Sequence, residues 1–181
     1  SVIILSDYNF FSISLFIALS DLQINIVPLV KTTESEDSNK ILSSKANKLI
    51  EIDDSGHLDF KTLKNEKTNY TDICKDGNTG VILFSSGTTG IPKVMIQNLT
   101  NIIKTIRKPK RQRNIIFLIF LMFDHIGGLN TLLNCLISGS TIVIPENRSP
   151  SSISSLIYKH KVTVLPTSPT FLNLLFLDDK L

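Results

Sequence analysis

Apolar and polar residues follow one another in short blocks, and their spacing switches between the periods of strand and helix. Residues 2–6 are a strand-like run, Asp7 follows in position to cap a helix, and 10–20 carries apolar residues at helical spacing. Residues 24–30 return to a strand. Two strands with a helix between them predict a parallel pair joined by a right-handed crossover. The polar, charged stretch 31–48 reads as a surface helix, and 49–53 as a third short strand. From Ser55 to Asn78 the pattern is hydrophilic and broken by Ser-Gly and Asp-Gly turn signals, which predicts an exposed connection.

A strand over 81–84 runs straight into a Ser/Thr/Gly-rich stretch, after which 94–96 is apolar again and 99–107 has helical spacing. The last third alternates regularly. It predicts strand 115–123, helix 127–136, strand 141–144, helix 150–159 with Pro150 near its start, strand 162–165 and helix 169–177. The recurring strand–helix order predicts a layered α/β domain, with a parallel or mixed sheet and flanking helices.

Composition changes this picture little. Hydrophobic residues make up 42% and charged residues 19%, enough apolar material for a substantial core and against disorder over most of the chain. Net charge is +3, but Lys104, Arg107, Lys108, Lys110, Arg111 and Arg113 crowd into one stretch, and the remainder is net negative. Such a run suits nucleic acid or acidic lipid, yet no aromatic residues interleave and Pro109 interrupts it. A solvated connection is the favoured reading, so no nucleic-acid partner is expected. Cys74 and Cys135 are far apart and carry neither metal-type spacing nor a disulfide framework. The nine apolar residues 115–123 are about half of a membrane span and read as a strand buried on both faces. No secretory signal is recognisable, and a cytoplasmic protein is expected.

The chemistry concentrates in Ser85-Ser86-Gly87-Thr88-Thr89-Gly90-Ile91-Pro92-Lys93. A phosphate chain needs several converging donors and little side-chain bulk. Gly87 and Gly90 let the backbone approach closely, and successive N–H groups can form an anion-binding concavity. The hydroxyls of Ser85, Ser86, Thr88 and Thr89 add neutral donors, Lys93 adds a mobile positive charge, and Pro92 stiffens the exit. The spacing Gly87-x-x-Gly90-x-x-Lys93 differs from the Walker loop.

Phe84 to Lys93 resembles the signature of the AMP-forming, acyl-adenylate superfamily, which includes acyl-CoA synthetases, peptide-synthetase adenylation domains and luciferases. Phe123-Asp124-His125-Ile126-Gly127-Gly128 is similar to that family's His-containing segment beside the acyl pocket. Ser138-Gly139-Ser140-Thr141 looks like its small-residue turn, and Val164-Leu165-Pro166-Thr167-Ser168-Pro169 like its strand-to-helix segment. The resemblance implies ATP contacts at Ser85, Ser86, Gly87, Thr88, Thr89, Gly90 and Lys93, with Lys93 and Thr89 closest to the chemistry. It places His125 and Gly127 on the substrate side. His125 also admits a plainer reading, as a helix-capping residue paired with Asp124. The cofactors implied are ATP and Mg2+. The partners implied are a carboxylic acid, fatty or otherwise hydrophobic, and CoA or a carrier protein as acyl acceptor.

Val94 stands where this family commonly has glycine, and Leu99 near where many members have histidine. The apolar run directly after Ser1 leads to the expectation of sequence upstream. No stretch up to Leu181 matches the family's aromatic-Gly-x-Thr-Glu motif with its magnesium-binding glutamate, its ribose-binding aspartate or its distant catalytic lysine. The expectation is therefore a partial N-terminal AMP-binding domain over 1–181, with a hydrophilic connecting segment at 54–79 and no metal ligand of its own. A remnant that binds a nucleotide or a partner without turnover is the alternative.

Overall fold

Four successive apolar residues cannot leave either face of a strand in water, and β1 (Val2–Leu5), buried throughout, lies inside a sheet. The computed structural model describes residues 1–64, 78–85, 93–106 and 114–177, in two units. The first unit is Ser1–Thr105 with Phe123–Ile126, and the second is Ile106–Met122 with Gly127–Leu181.

In the first unit β1 is joined through α1 (Phe10–Asp21) to β2 (Ile26–Leu29), and through α2 (Glu34–Ser44) the chain reaches β3 (Lys48–Ile52). Both β2 and β3 pair with β1 in parallel, pairing Val2 with Ile26 on one side and with Lys48 on the other. β4 (Leu58–Thr62), β5 (Gly80–Ser85) and β6 (Lys93–Asn98) complete the order β4-β3-β1-β2-β5-β6, six strands among the described residues. The two edge strands are antiparallel to their neighbours, so the sheet is mixed. Pro28 has no N–H to give; it lies just past Ile26↔Val81, the one residue pair of the β2–β5 ladder. Ile3, Leu5, Val27, Leu29, Ala46, Leu49 and Ile82 form the core, each large side chain contributing about 1.5–3 kcal/mol of burial.

Two expectations change here. The cap of α1 is Asn9, whose Oδ1 accepts the Ser12 N–H at 2.7 Å while Ser12 Oγ accepts the Asn9 N–H in return. Asp7 is not the cap, because its Oδ1 is taken by the Tyr8 N–H. The stretch read as an exposed connection contains β4, and all five of its residues are exposed. Its short alternation, Leu58 and Phe60 against Asp59 and Lys61, is set among turn signals and charges, and both apolar side chains stay exposed. Lys61 and Asp59 keep this edge charged.

In the second unit β7 (Ile116–Leu118) and β8 (Thr141–Val143) form a parallel pair, extended by a single parallel bridge from Phe117 to Val164. α4 (Ile126–Ser138), α5 (Pro150–His160) and α6 (Pro169–Phe176) supply the helices, and α5 and α6 open on the N-caps Ser149 and Ser168 with proline following. Leu118, Val143, Ile153, Phe171 and Leu175 are its core. The strand read over 115–123 shrinks to three residues. Beyond Ile119 the chain leaves the ladder: the Phe120 ring stacks on Phe171 at 4.0 Å, and Arg148 Nε donates to the Phe120 carbonyl at 2.6 Å. The strand read over 162–165 is only that bridge, since the Thr163 hydroxyl takes the Ile116 N–H that a longer ladder would use.

Candidate functional site

The glycine-rich stretch is carried by a β-hairpin. β5 and β6 pair in full register from Gly80↔Asn98 to Ser85↔Lys93, so the half-buried Ser85 and the exposed Lys93 face each other where the ladder ends. Ser86, Gly87, Thr88, Thr89 and Gly90 lie outside the described residues. The base of the hairpin is pinned by two side chains and one backbone bond. Gly80 N–H donates to Asn25 Oδ1 at 2.8 Å, Thr79 Oγ1 to the Ser20 carbonyl at 3.0 Å, and Leu99 N–H to the Thr79 carbonyl at 2.9 Å. Phe84 and Val94 are cross-strand neighbours packed on the core, which gives the departure at Val94 a structural reason: it fills space beside Phe84. Leu99 is buried at the start of α3 (Leu99–Thr105).

The His125 segment is anchored in the first unit. Phe123 is fully buried, with its ring 4.8 Å from that of Tyr8 and 5.5 Å from that of Phe16 on α1. Asp124 is buried too, and its Oδ2 lies 3.5 Å from Lys40 Nζ on α2. His125 is exposed, directly ahead of Ile126 where α4 begins. The plainer reading of His125 as the partner of Asp124 is thus corrected: the carboxylate faces Lys40, and no hydrogen bond or ion pair joins it to His125 among the described residues. Gly127 belongs to the first turn of α4, where its carbonyl accepts from Thr131 Oγ1 at 2.8 Å and an added Cβ would come within 2.9 Å of Leu121. His57 and His160 are exposed, and Cys135 is fully buried packing.

Lys40 escaped the sequence reading. It stands 84 positions from Asp124 in a helix of mostly polar residues, and nothing in its local pattern sets it apart from its neighbours. Among the described residues, no group of three or more His, Cys, Asp or Glu could hold a metal ion, and no helix is long and apolar enough to cross a membrane.

A family model described as AMP-binding enzyme matches residues 2–181. The chain belongs to the AMP-binding enzyme family. It is 31% identical over 126 residues to 4-coumarate–CoA ligase 3 of Arabidopsis thaliana, covering 62% of this chain and 22% of that protein. To 2-succinylbenzoate–CoA ligase of Bacillus subtilis it is 32% identical over 98 residues, covering 52% of this chain and 20% of the other. The fold is similar to that of the NpsA N-terminal subdomain of Klebsiella oxytoca in complex with 3-hydroxyanthranilyl-AMSN, at TM-score 0.77 and 19% identity over 98% of this chain and 49% of that one. The o-succinylbenzoate coenzyme A synthetase (MenE) of Bacillus subtilis, solved with ATP and magnesium, gives TM-score 0.71 and 21% identity over 98% of this chain and 41% of that one. The layered α/β architecture expected from the sequence is therefore the fold of this family's solved members. The chain spans about a fifth of the length of these curated relatives and about half or less of these solved chains.

Proposed function

We propose that the chain supplies the triphosphate-binding loop and the acyl-side histidine of an AMP-forming carboxylic acid–CoA ligase. The observation that carries this reading is the register Ser85↔Lys93. It sets a hydroxyl and an ammonium opposite one another at the two ends of the Gly87-x-x-Gly90 stretch, a donor set suited to an anionic chain of phosphates. In the reaction a carboxylate oxygen attacks the α-phosphorus of ATP, the bond to pyrophosphate breaks, and an acyl-adenylate forms. The thiol of CoA or of a carrier protein then attacks the acyl carbonyl, gives up its proton to solvent and displaces AMP. Lys93, with the hydroxyls of Thr88 and Thr89, offsets the charge that gathers on the departing pyrophosphate. Ser85, Ser86, Gly87 and Gly90 contribute the remaining contacts, and His125 with Gly127 faces the acid.

Magnesium bound with ATP neutralises phosphate charge. The resemblance assigns its carboxylate ligand to an aromatic-Gly-x-Thr-Glu motif that no stretch of this sequence matches. The chain makes up the first part of a larger AMP-binding domain, and the protein works in the cytoplasm. The acid is hydrophobic. The resemblance favours a fatty acid, while the names 4-coumarate–CoA ligase and 2-succinylbenzoate–CoA ligase support an aromatic one. A second reading, a nucleotide- or partner-binding module without turnover, asks of the chain only the hairpin that ends at Ser85 and Lys93.

Equilibrium dialysis with ATP tests the common core of both readings. The chain binds ATP, Lys93→Ala weakens binding about tenfold through loss of one charge-assisted contact, and His57→Ala leaves it unchanged. A folded chain that does not bind ATP would overturn the proposal. ATP–pyrophosphate exchange separates the readings, because only the ligase reading has it arise once the missing motifs are supplied. Exchange by this chain alone, lost on Lys93→Ala or Thr89→Ala, would show that no further residues are needed.

A further inference from the structure

The exposed His125 follows directly on a buried carboxylate. Asp124 is 7% exposed, its Oδ2 lies 3.5 Å from Lys40 Nζ, and its Oδ1 has no hydrogen-bond partner among the described residues. Lys40 is itself mostly buried, with 17% of its side chain exposed. A separation of 3.5 Å is long for a charge-assisted hydrogen bond, so the contact acts chiefly as charge against charge. Burial keeps solvent from screening it. The turn itself needs no carboxylate to stay in place, because Phe123 is already clamped against the rings of Tyr8 and Phe16.

What, then, does the pair do for the residue beside it? A carboxylic acid substrate arrives as an anion. An uncompensated Asp124 would set a second negative charge within about 10 Å of any carboxylate docked at His125, and at a near-surface dielectric that repulsion weakens binding on the order of tenfold. We propose that Lys40 is a positioning residue for the acid: by neutralising Asp124 it leaves the approach to His125 open to a carboxylate. This rests on the reading of His125 as the acyl-side histidine. It adds a specific role for α2, an element otherwise seen only as a polar surface helix.

The test is an NMR titration of the 181-residue chain carrying isotope-labelled histidine, with 4-coumarate as the anionic probe and its methyl ester as the neutral one. In the unmodified chain the ring signals of His125 shift saturably with 4-coumarate, while those of His57 and His160 stay still. Lys40→Met weakens 4-coumarate binding about tenfold and leaves the ester unaffected, and Lys40→Arg restores the anion's affinity. Adding Asp124→Asn to Lys40→Met also restores it, since no charge is left to compensate. Asp124→Asn alone tightens anion binding, and this variant decides the matter should Lys40→Met fail to fold. Equal loss of ester and anion affinity in Lys40→Met would reveal a merely structural pair and overturn the proposal. So would unchanged 4-coumarate affinity in Lys40→Met or in Asp124→Asn. A His125 signal indifferent to both probes in the unmodified chain would instead overturn the acyl-side reading, and this inference with it.

Discussion

Cys135 is fully buried on α4, and desolvation pushes its thiol up to about 12, so scarcely any thiolate forms near neutral pH. Iodoacetamide at pH 8 is therefore expected to leave Cys135 unlabelled in the native protein and to label it in urea, read from the mass of its peptide. Rapid native labelling would mean that α4 opens. At this scale the sequence was most informative where chemistry depends on residue type. Ser85 and Lys93 stand at the two ends of the loop because β-pairing puts them there, and Cys135 lacked the spacing of a metal ligand. It was least informative where a side chain's role depends on a distant neighbour. Lys40 could not be singled out, and Asp124 was offered His125 as a partner because only the adjacent residue is visible in one dimension.

Among the elements, β4 best shows what patterning cannot see. Its side chains are exposed and its brief alternation over Leu58–Thr62 is outweighed by the surrounding turn signals, while the backbone pairing from Lys48↔Thr62 to Ile52↔Leu58 makes it a strand. Charge then ties this edge to the sheet. Glu51 on β3 meets Lys31 at 2.9 Å and Lys61 at 3.3 Å. The hydrogen bonds from Lys31 and then Lys61 hold its carboxyl below the usual glutamate range. Lys31 is held above the usual lysine range chiefly by its hydrogen bond to Glu51, and Lys61 chiefly by that to Asp59. A depressed carboxylate contributes stability above its unfolded-state value, about 4.3, and loses it as pH falls through the folded-state value. The raised lysines contribute below about 10.4 and lose it as pH rises past their folded-state values. Glu51→Gln is thus expected to lower the urea midpoint slightly at pH 7. The difference from the unmodified protein should vanish in strong acid and shrink in high salt, as for any solvent-exposed network. A difference that persists in acid would place its cause outside these ion pairs. Central strands such as β1 were legible because burial on both faces leaves an unbroken apolar run. The run at 115–123 looked the same but ends as a strand at Leu118, where Phe120 turns to stack on Phe171.

For the molecule as a whole, the alternation of strands and helices was enough to predict a layered α/β fold with a parallel or mixed sheet, and the antiparallel edge strands decide for the mixed one. It could not reveal that Phe123–Ile126 belongs to the first unit, because a contact over that chain distance leaves no periodic trace. That membership governs the order of assembly during synthesis. The ribosome delivers β1 to β6 first, yet the rings of Tyr8 and Phe16 wait for Phe123, and Lys40 for Asp124. Contacts of such long sequence separation form late. Until they do, a nascent chain shows the medium the rings of Tyr8 and Phe16 and the ammonium of Lys40 on α2. Stalled nascent chains are expected to gain proteolytic protection of α1 only once residue 126 has cleared the exit tunnel. Protection already complete in a chain ending at residue 105 would count against this order. The interval in between is when a chaperone that recognises exposed aromatic side chains has something to hold.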